Sequence, residues 1–277
     1  MNTKCAIYTN MNPKGGTGKT LTSKLIATSE EFRKTYNKIA FVELDAQRSI
    51  GDWLEERRAS KLPTLNVFHE TIFIQELLKE DQKKGGSSSL INGKIVSRVK
   101  ELTQKYDCLV IDSPGESLVG DPTSIALAIT MGLKGVLIVP MRMSETDTRA
   151  FNNIFYKTLK EKYCHDQTAY ILPSQINPSN KSETIVRFFE QGCIDPNRSE
   201  ADQNGDGQAP NIQILSTVIP YYADLAVYDR YGRTLKEYCN ILEKPKQVGT
   251  KPRKLLPIEK AEICVEKLAT HFISLTQ

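Results

Sequence analysis

The chain has 277 residues, of which 39% are hydrophobic and 25% charged, and a formal net charge of +4. That length can bury a full core without staples, and the composition excludes a disordered chain, a collagen-like chain and a membrane bundle. Apolar runs such as Val136-Leu137-Ile138-Val139 are far shorter than the ~20 residues of a membrane helix. The N-terminus carries no secretory pattern. The six cysteines are scattered and form no C-x-x-C pair, which fits reduced thiols better than a disulfide framework or a zinc site. A cytoplasmic setting and no stable membrane insertion are expected.

Short β-branched runs alternate with longer amphipathic ones, the pattern of parallel βαβ units. In chain order the strands are expected at 4–9, 38–44, 64–68, 108–112, 135–140, 169–172 and 212–218. Helices are expected at 19–36, 49–60, 74–84, 91–105, 121–131, 146–163, 182–191, 223–228, 234–242 and 257–275. Several strands are apolar nearly throughout, as strands covered on both faces must be. The fold class is therefore α/β, a doubly wound and mostly parallel sheet with helices on both faces. The last helix places Ile258, Ala261, Val265, Leu268, Phe272 and Leu275 on one face, which reads as docking on the core.

Two segments read as insertions. Residues 83–94 open with Gly-Ser linker composition, and 195–210 lack a hydrophobic pattern. Asp202, Asn204, Asp206 and Gly207 copy the start of a calcium loop, but Gln213 stands where a bidentate Glu belongs, so a solvated loop is the better reading. Residues 244–254 hold Lys244, Lys246, Lys251, Arg253 and Lys254 without an acid. That is a solvated linker or a phosphate-contacting DNA segment.

Lys14-Gly15-Gly16-Thr17-Gly18-Lys19-Thr20 follows a strand and opens a helix, the context of a phosphate-binding loop. Backbone N–H groups and the helix N-terminus would face phosphate oxygens. Lys19 would reach the β- and γ-phosphates, and the Thr20 hydroxyl would hold Mg²⁺. Pro13 stands where the strict pattern wants glycine. Asp112 ends a buried strand at the carboxyl edge of the sheet, where ligands of such sheets bind, and its carboxylate suits the Mg²⁺ shell. Asp45 ends the second strand in the same way.

The loop, with its extra Lys14, resembles the deviant Walker A box of the ParA/MinD ATPases. The resemblance continues through Glu43-Leu44-Asp45-Ala46-Gln47-Arg48-Ser49 with Trp53 and Arg57, Tyr106 to Gly115, Val139-Pro140 with Ser144 and Asp147, and Val218-Ile219-Pro220 with Tyr231-Gly232-Arg233-Thr234. It is nearest to the short plasmid-partition branch, so no helix-turn-helix extension is expected before the first strand. It implies a single P-loop ATPase domain of SIMIBI type over 1–277, with ATP and Mg²⁺ as cofactors. The nucleotide-binding stretch is Lys14, Gly15, Gly16, Thr17, Gly18, Lys19, Thr20 and Leu21. Lys14, Lys19 and Asp45 are the catalytic candidates, Lys14 reaching across an ATP-dependent homodimer. Thr20, Asp45 and Asp112 are the metal candidates. Pro220 matches the adenine segment; Gln175 and Asn177 are either adenine contacts or turn residues before Pro178.

Glu43 and Ala46 depart from the family's Asp and Pro; Glu43 is read as inessential to the chemistry, and Ala46 as a change in how the switch moves. The implied function is segregation or positioning of DNA, with non-specific DNA bound in the ATP state and release by a ParB-like or other stimulating partner. The alternative is a ParA-like ATPase that positions a protein cargo or serves conjugative transfer.

Overall fold

The computed structural model describes residues 5–44, 48–73, 88–114, 122–162, 168–193, 211–242 and 256–276. The strands are β1 (Ala6–Asn10), β2 (Ile39–Glu43), β3 (Val67–Thr71), β4 (Cys108–Asp112), β5 (Val136–Met141), β6 (Thr168–Ile176), β7 (Asn211–Ile214) and β8 (Ile219–Pro220). They run in the order β3-β2-β4-β1-β5-β6-β7, with β8 beside the end of β6. Every pairing is parallel. The chain reverses its winding around β1, so the segment leaving β1 emerges at the crevice between β4 and β5, the switch point of an open α/β sheet.

Both faces are buried, and the strands show why they must read as apolar throughout. Ala6, Tyr8, Ile39, Phe41, Cys108, Val110, Val136 and Ile138 pack into one cluster. The alternate residues Ile7, Ala40, Val42, Leu109 and Ile111 face a second cluster, and Leu137, Val139, Ala169 and Ile171 a third. On the first face lie α1 (Lys19–Thr28), α2 (Glu30–Thr35), α3 (Ser49–Ala59), α9 (Leu235–Leu242) and α10 (Pro257–Ser274). The opposite face takes α4 (Ser88–Leu102), α5 (Pro122–Leu133), α6 (Glu145–Ala150), a π-helical stretch Phe151–Tyr156, α7 (Lys157–Lys162) and α8 (Ser182–Cys193). Trp53 of α3 is buried and meets Phe41 of β2 edge-on, with ring centroids 6.4 Å apart.

Several expected elements differ in detail. The helix expected over 19–36 breaks at Ser29, which is extended (φ −61°, ψ 153°) and caps α2 through its hydroxyl. The amides of Glu30 and Glu31 donate to Glu266 of α10 at 2.8 and 3.1 Å, a cap supplied from far along the chain. The strand expected at 64–68 begins at Val67, because Asn66 turns its side-chain amide onto Tyr36 O (2.7 Å) and Pro63 O accepts from Arg57. The helix expected over 146–163 is interrupted by the π-helical stretch. The strand expected over 212–218 divides into β7 and β8, and that expected at 169–172 extends to Ile176. Residues 223–226 form a 3₁₀ turn rather than an α-helix. From Ser88 onward the segment 83–94 is helical, the start of α4, so that part is no linker. The helix expected at 74–84, the 195–210 insertion and the 244–254 basic run lie outside the described residues.

α10 buries Ile258, Ala261, Val265, Leu268 and Phe272, and the Tyr8 hydroxyl in β1 donates to Phe272 O at 3.1 Å. No helix among the described residues is long and apolar enough to cross a membrane.

Arg57 joins α3 to the chain before α9. Its guanidinium donates to both Glu237 carboxylate oxygens (2.7 and 2.8 Å), to Gly232 O (2.8 Å) and to Pro63 O. Gly232 (φ +71°) lies so close that a Cβ there would sit 2.3 Å from Arg57 Cα. Burial pushes the Glu237 carboxyl up, but its bonds from Arg57 and the Thr234 amide outweigh that and hold it below its ordinary 4.5. A depressed carboxylate adds stability that is complete above the unfolded value and is lost as pH falls through the folded one. Arg57→Ala is therefore expected to cost about 3 kcal/mol in urea unfolding at neutral pH. Glu237→Gln should lie below wild type at pH 7, and the gap should close as the pH drops below 4.5.

Candidate nucleotide site

The segment from Met11 to Gly18 links β1 to α1 and is fixed from below by Asn12. That fully buried side chain accepts from Lys14 N–H (2.9 Å) and donates to Pro140 O at the end of β5 (2.8 Å). Gly16 (φ +70°) and Gly18 (φ +94°) are the positions with left-handed backbone, so the loop needs no glycine at Pro13. Gly18 is the N-cap of α1 and offers no side-chain cap, which leaves the first-turn amides for a ligand. A Cβ at Gly18 would meet Ser174 Oγ at 2.8 Å.

Lys19 is buried, and its Nζ donates to Lys14 O at 3.1 Å across the loop. The Thr17 hydroxyl approaches the same carbonyl at 3.4 Å. Gly15 and Gly16 are exposed at the mouth of the loop. Leu21 is partly buried, with its side chain against the core.

Asp112 ends β4 beside Asn10, the last residue of β1. Its Oδ2 accepts from Thr20 Oγ1 at 2.6 Å, and its Oδ1 accepts from Ser23 Oγ at 3.0 Å. Asn10 Nδ2 in turn donates to Ser23 Oγ at 2.9 Å. Burial raises the Asp112 carboxyl to about 6, opposed by the two hydroxyl bonds. A hydroxyl and a carboxylate at contact distance beside a phosphate loop are hard oxygen donors of the kind Mg²⁺ takes. The residues present therefore fit a Mg²⁺–nucleotide: Thr20 and Asp112 would hold the ion, which would neutralise phosphate charge. Asp45 lies outside the described residues.

Lys14 projects away from its own loop. Its Nζ meets Asp147 Oδ1 at 2.8 Å, with the Lys14 side chain 25% exposed and that of Asp147 fully buried. Asp147 stands in the first turn of α6, where the Ser144 hydroxyl caps its amide, and it also accepts from Arg142 through N–H (3.2 Å), Nε (3.1 Å) and Nη2 (3.0 Å). Burial pushes the Asp147 carboxyl up, but the Arg142 and Lys14 bonds prevail and hold it below its ordinary value.

Gln175 is at the end of β6 in left-handed conformation (φ 54°), and its Nε2 donates to Gly16 O at 3.2 Å. The structure thus sets this side chain against the phosphate loop. Asn177 accepts from Ser179 N–H and Oγ at 3.0 and 2.8 Å, the closed turn that one sequence reading anticipated. Pro220 in β8 pairs with Ile176, which brings the late Ile219-Pro220 segment beside the loop after β6.

Sequence reasoning missed Asn12, Ser23 and Arg142. Ser23 was legible as the residue one helical turn beyond Lys19. Arg142 lay two residues past Pro140, at the same sheet edge as Asp112. Asn12 gave no signal apart from its place inside the loop.

A family model described as ATPase MipZ matches residues 7–161, more than half of the 277. The chain belongs to the MipZ ATPase family. It is an ATPase, with the fold of the ParA/MinD type. No curated protein matches it. Among solved structures, an alanine variant of McdA from Cyanothece in complex with ATP is 13% identical, with a TM-score of 0.62, covering 99% of this chain and 98% of that one. MinD from Aquifex aeolicus is 15% identical at a TM-score of 0.55, covering 96% and 98%. A putative plasmid partition protein from Borrelia burgdorferi bound to AMPPNP is 18% identical at 0.54, covering 86% and 97%. At such identities these likenesses concern the fold.

Gly18→Ala is expected to abolish measurable binding of a fluorescent ATP analogue while the melting transition stays cooperative. The added methyl is strained at φ +94° and drives into Ser174 Oγ. Ser174→Ala in the same chain should not restore binding, because the backbone strain remains.

Proposed function

We propose that this ATPase is a dimerising switch that segregates or positions DNA, binding DNA non-specifically in its ATP state and leaving it after partner-stimulated hydrolysis. The observation that supports this reading best is Lys14: a second lysine in the phosphate loop, turned off its own loop onto Asp147. In the proposed cycle the backbone from Gly15 to Thr20 and the Lys19 ammonium hold the phosphates. Lys14 exchanges Asp147 for the γ-phosphate of a partner subunit, which makes dimerisation depend on that phosphate. Thr20, Asp45 and Asp112 hold Mg²⁺, and Asp45 orients the attacking water. Gln175, Asn177 and Pro220 border the base. Charge on the transferring phosphoryl group is spread over its oxygens, so two lysines and Mg²⁺ supply the stabilisation the reaction needs.

Lys14→Ala is expected to keep the affinity for the ATP analogue and to lose ATP-dependent dimerisation, read by light scattering after gel filtration. A Lys14→Ala protein that still dimerises with ATP overturns the role of Lys14. DNA binding is tested on a random duplex at fixed moderate salt with Mg-ATP, Mg-ADP or no nucleotide, since phosphate contacts weaken steeply with salt. Binding is expected with Mg-ATP alone. Failure in all three states moves the function to a protein cargo or to conjugative transfer.

A further inference from the structure

Glu43 ends β2, and its carboxylate is fully buried. It has a complete set of donors. Oε1 accepts from Ile50 N–H at 3.0 Å, and Oε2 from Gly51 N–H at 3.3 Å. His69 of β3 brings Nε2 to 2.8 Å from the same Oε2, with Thr71 Oγ1 3.4 Å from that nitrogen. An ionised Glu43 thus requires the His69 proton on Nε2. The residue that should cap α3, Arg48, has left-handed backbone (φ 52°) and makes no side-chain cap. The first-turn amides of α3 therefore depend on a carboxylate from another element. Gly51 belongs to the same unit, since a Cβ there would sit 2.7 Å from His69 Cε1.

An ordinary Ser, Asn or Asp cap at position 48 would satisfy one of these amides locally. Burying a carboxylate instead carries a desolvation cost that its partners must offset. A costly solution to an easy local problem is the mark of a functional constraint. The location says which one. Glu43 is the register partner of Asp112, and the next residue, Leu44, donates its N–H to Asp112 O at 3.0 Å. The carboxylate thus fixes, on one side, the strand end beside Asp112 and, on the other, the helix that begins at Ser49.

We propose that Glu43, with His69 and Gly51 behind it, is a positioning residue for ATP hydrolysis: it sets the distance between the end of β2 and the start of α3, and so the two anchors of the chain that carries Asp45. The inference rests on the proposed nucleotide site and replaces the reading of Glu43 as inessential.

The test uses the full chain. Glu43→Gln leaves a carboxamide that cannot accept at both oxygens, and Glu43→Asp is too short to reach both amides. Both are expected to lower kcat for phosphate release by about 10–100-fold, the usual effect of losing a supporting partner. KM, the affinity for the ATP analogue and cooperative melting should be retained. Wild-type kcat in a folded Glu43→Gln protein overturns the proposal. So does a loss of kcat matched by an equal loss of nucleotide affinity. Should the Glu43 variants fail to fold, Gly51→Ala displaces the imidazole and leaves the carboxylate; the same kcat-specific loss is expected, and wild-type kcat overturns the proposal. Combining Gly51→Ala with His69→Ala relieves the clash without returning the donor, so kcat should stay low, and its full recovery overturns the role of His69. Asp45→Ala, run in parallel, reads the site itself: full hydrolysis there removes Asp45 from the chemistry whatever Glu43 does.

Discussion

One buried carboxylate organises the site. Asp112 is placed by a strand that is apolar up to its last residue, and it is buried from bulk solvent. It is stabilised by hydroxyls one turn apart on α1, Thr20 and Ser23, and Ser23 is held in turn by Asn10 of β1. This short chain of bonds ties β4, β1 and α1 into one body. The phosphate loop is the connection between two of those three elements, so its ends cannot drift. Remove the carboxylate and two hydroxyls and an amide lose their reference point; of these groups, the Asp112 carboxylate and the Thr20 hydroxyl are the oxygen donors that would hold a cation.

Around this rigid centre the structure places groups that have alternative partners. Lys14 is paired with Asp147, whose other donors come from Arg142 and the Ser144 hydroxyl, so Asp147 remains satisfied if Lys14 departs. That asymmetry separates a released lysine from a stranded buried charge, which would be costly. The helix that carries Asp147 passes into a π-helical stretch at Phe151, with Phe151 and Phe155 stacked in the core. Such stretches recur at functional sites because they shift the register of one helical turn against the next.

Much of this was legible in the sequence, for identifiable reasons. Strands buried on both faces must be apolar at every position, so β2, β4 and β5 were recognisable within a residue or two. The phosphate loop was legible because glycine spacing and a lysine on a helix start have few other uses. Asp112 was legible because an acid after a buried strand has only the sheet edge to go to. The failures are equally physical. Ser29 breaks a continuous helical pattern because Glu266, distant in sequence, caps the second piece. Gln175 read as either a base contact or a turn residue, and its left-handed backbone with the Nε2 bond to Gly16 O was beyond what spacing can show. Glu43 read as inessential because the motif does not reveal its bonds to Ile50 and Gly51 in α3 and to His69 in β3.

Trp53 is the chain's single tryptophan. It sits in α3, between the helix start that Glu43 caps and the Arg57 clamp at the other end, against Phe41 of the central sheet. Its fluorescence therefore has one origin, and that origin is the helix joining the β2 end to the late 230–237 segment. The protein carries its own optical probe at that helix, without labels or substitutions, and a stopped-flow trace of its emission reports on the packing of α3 against the sheet.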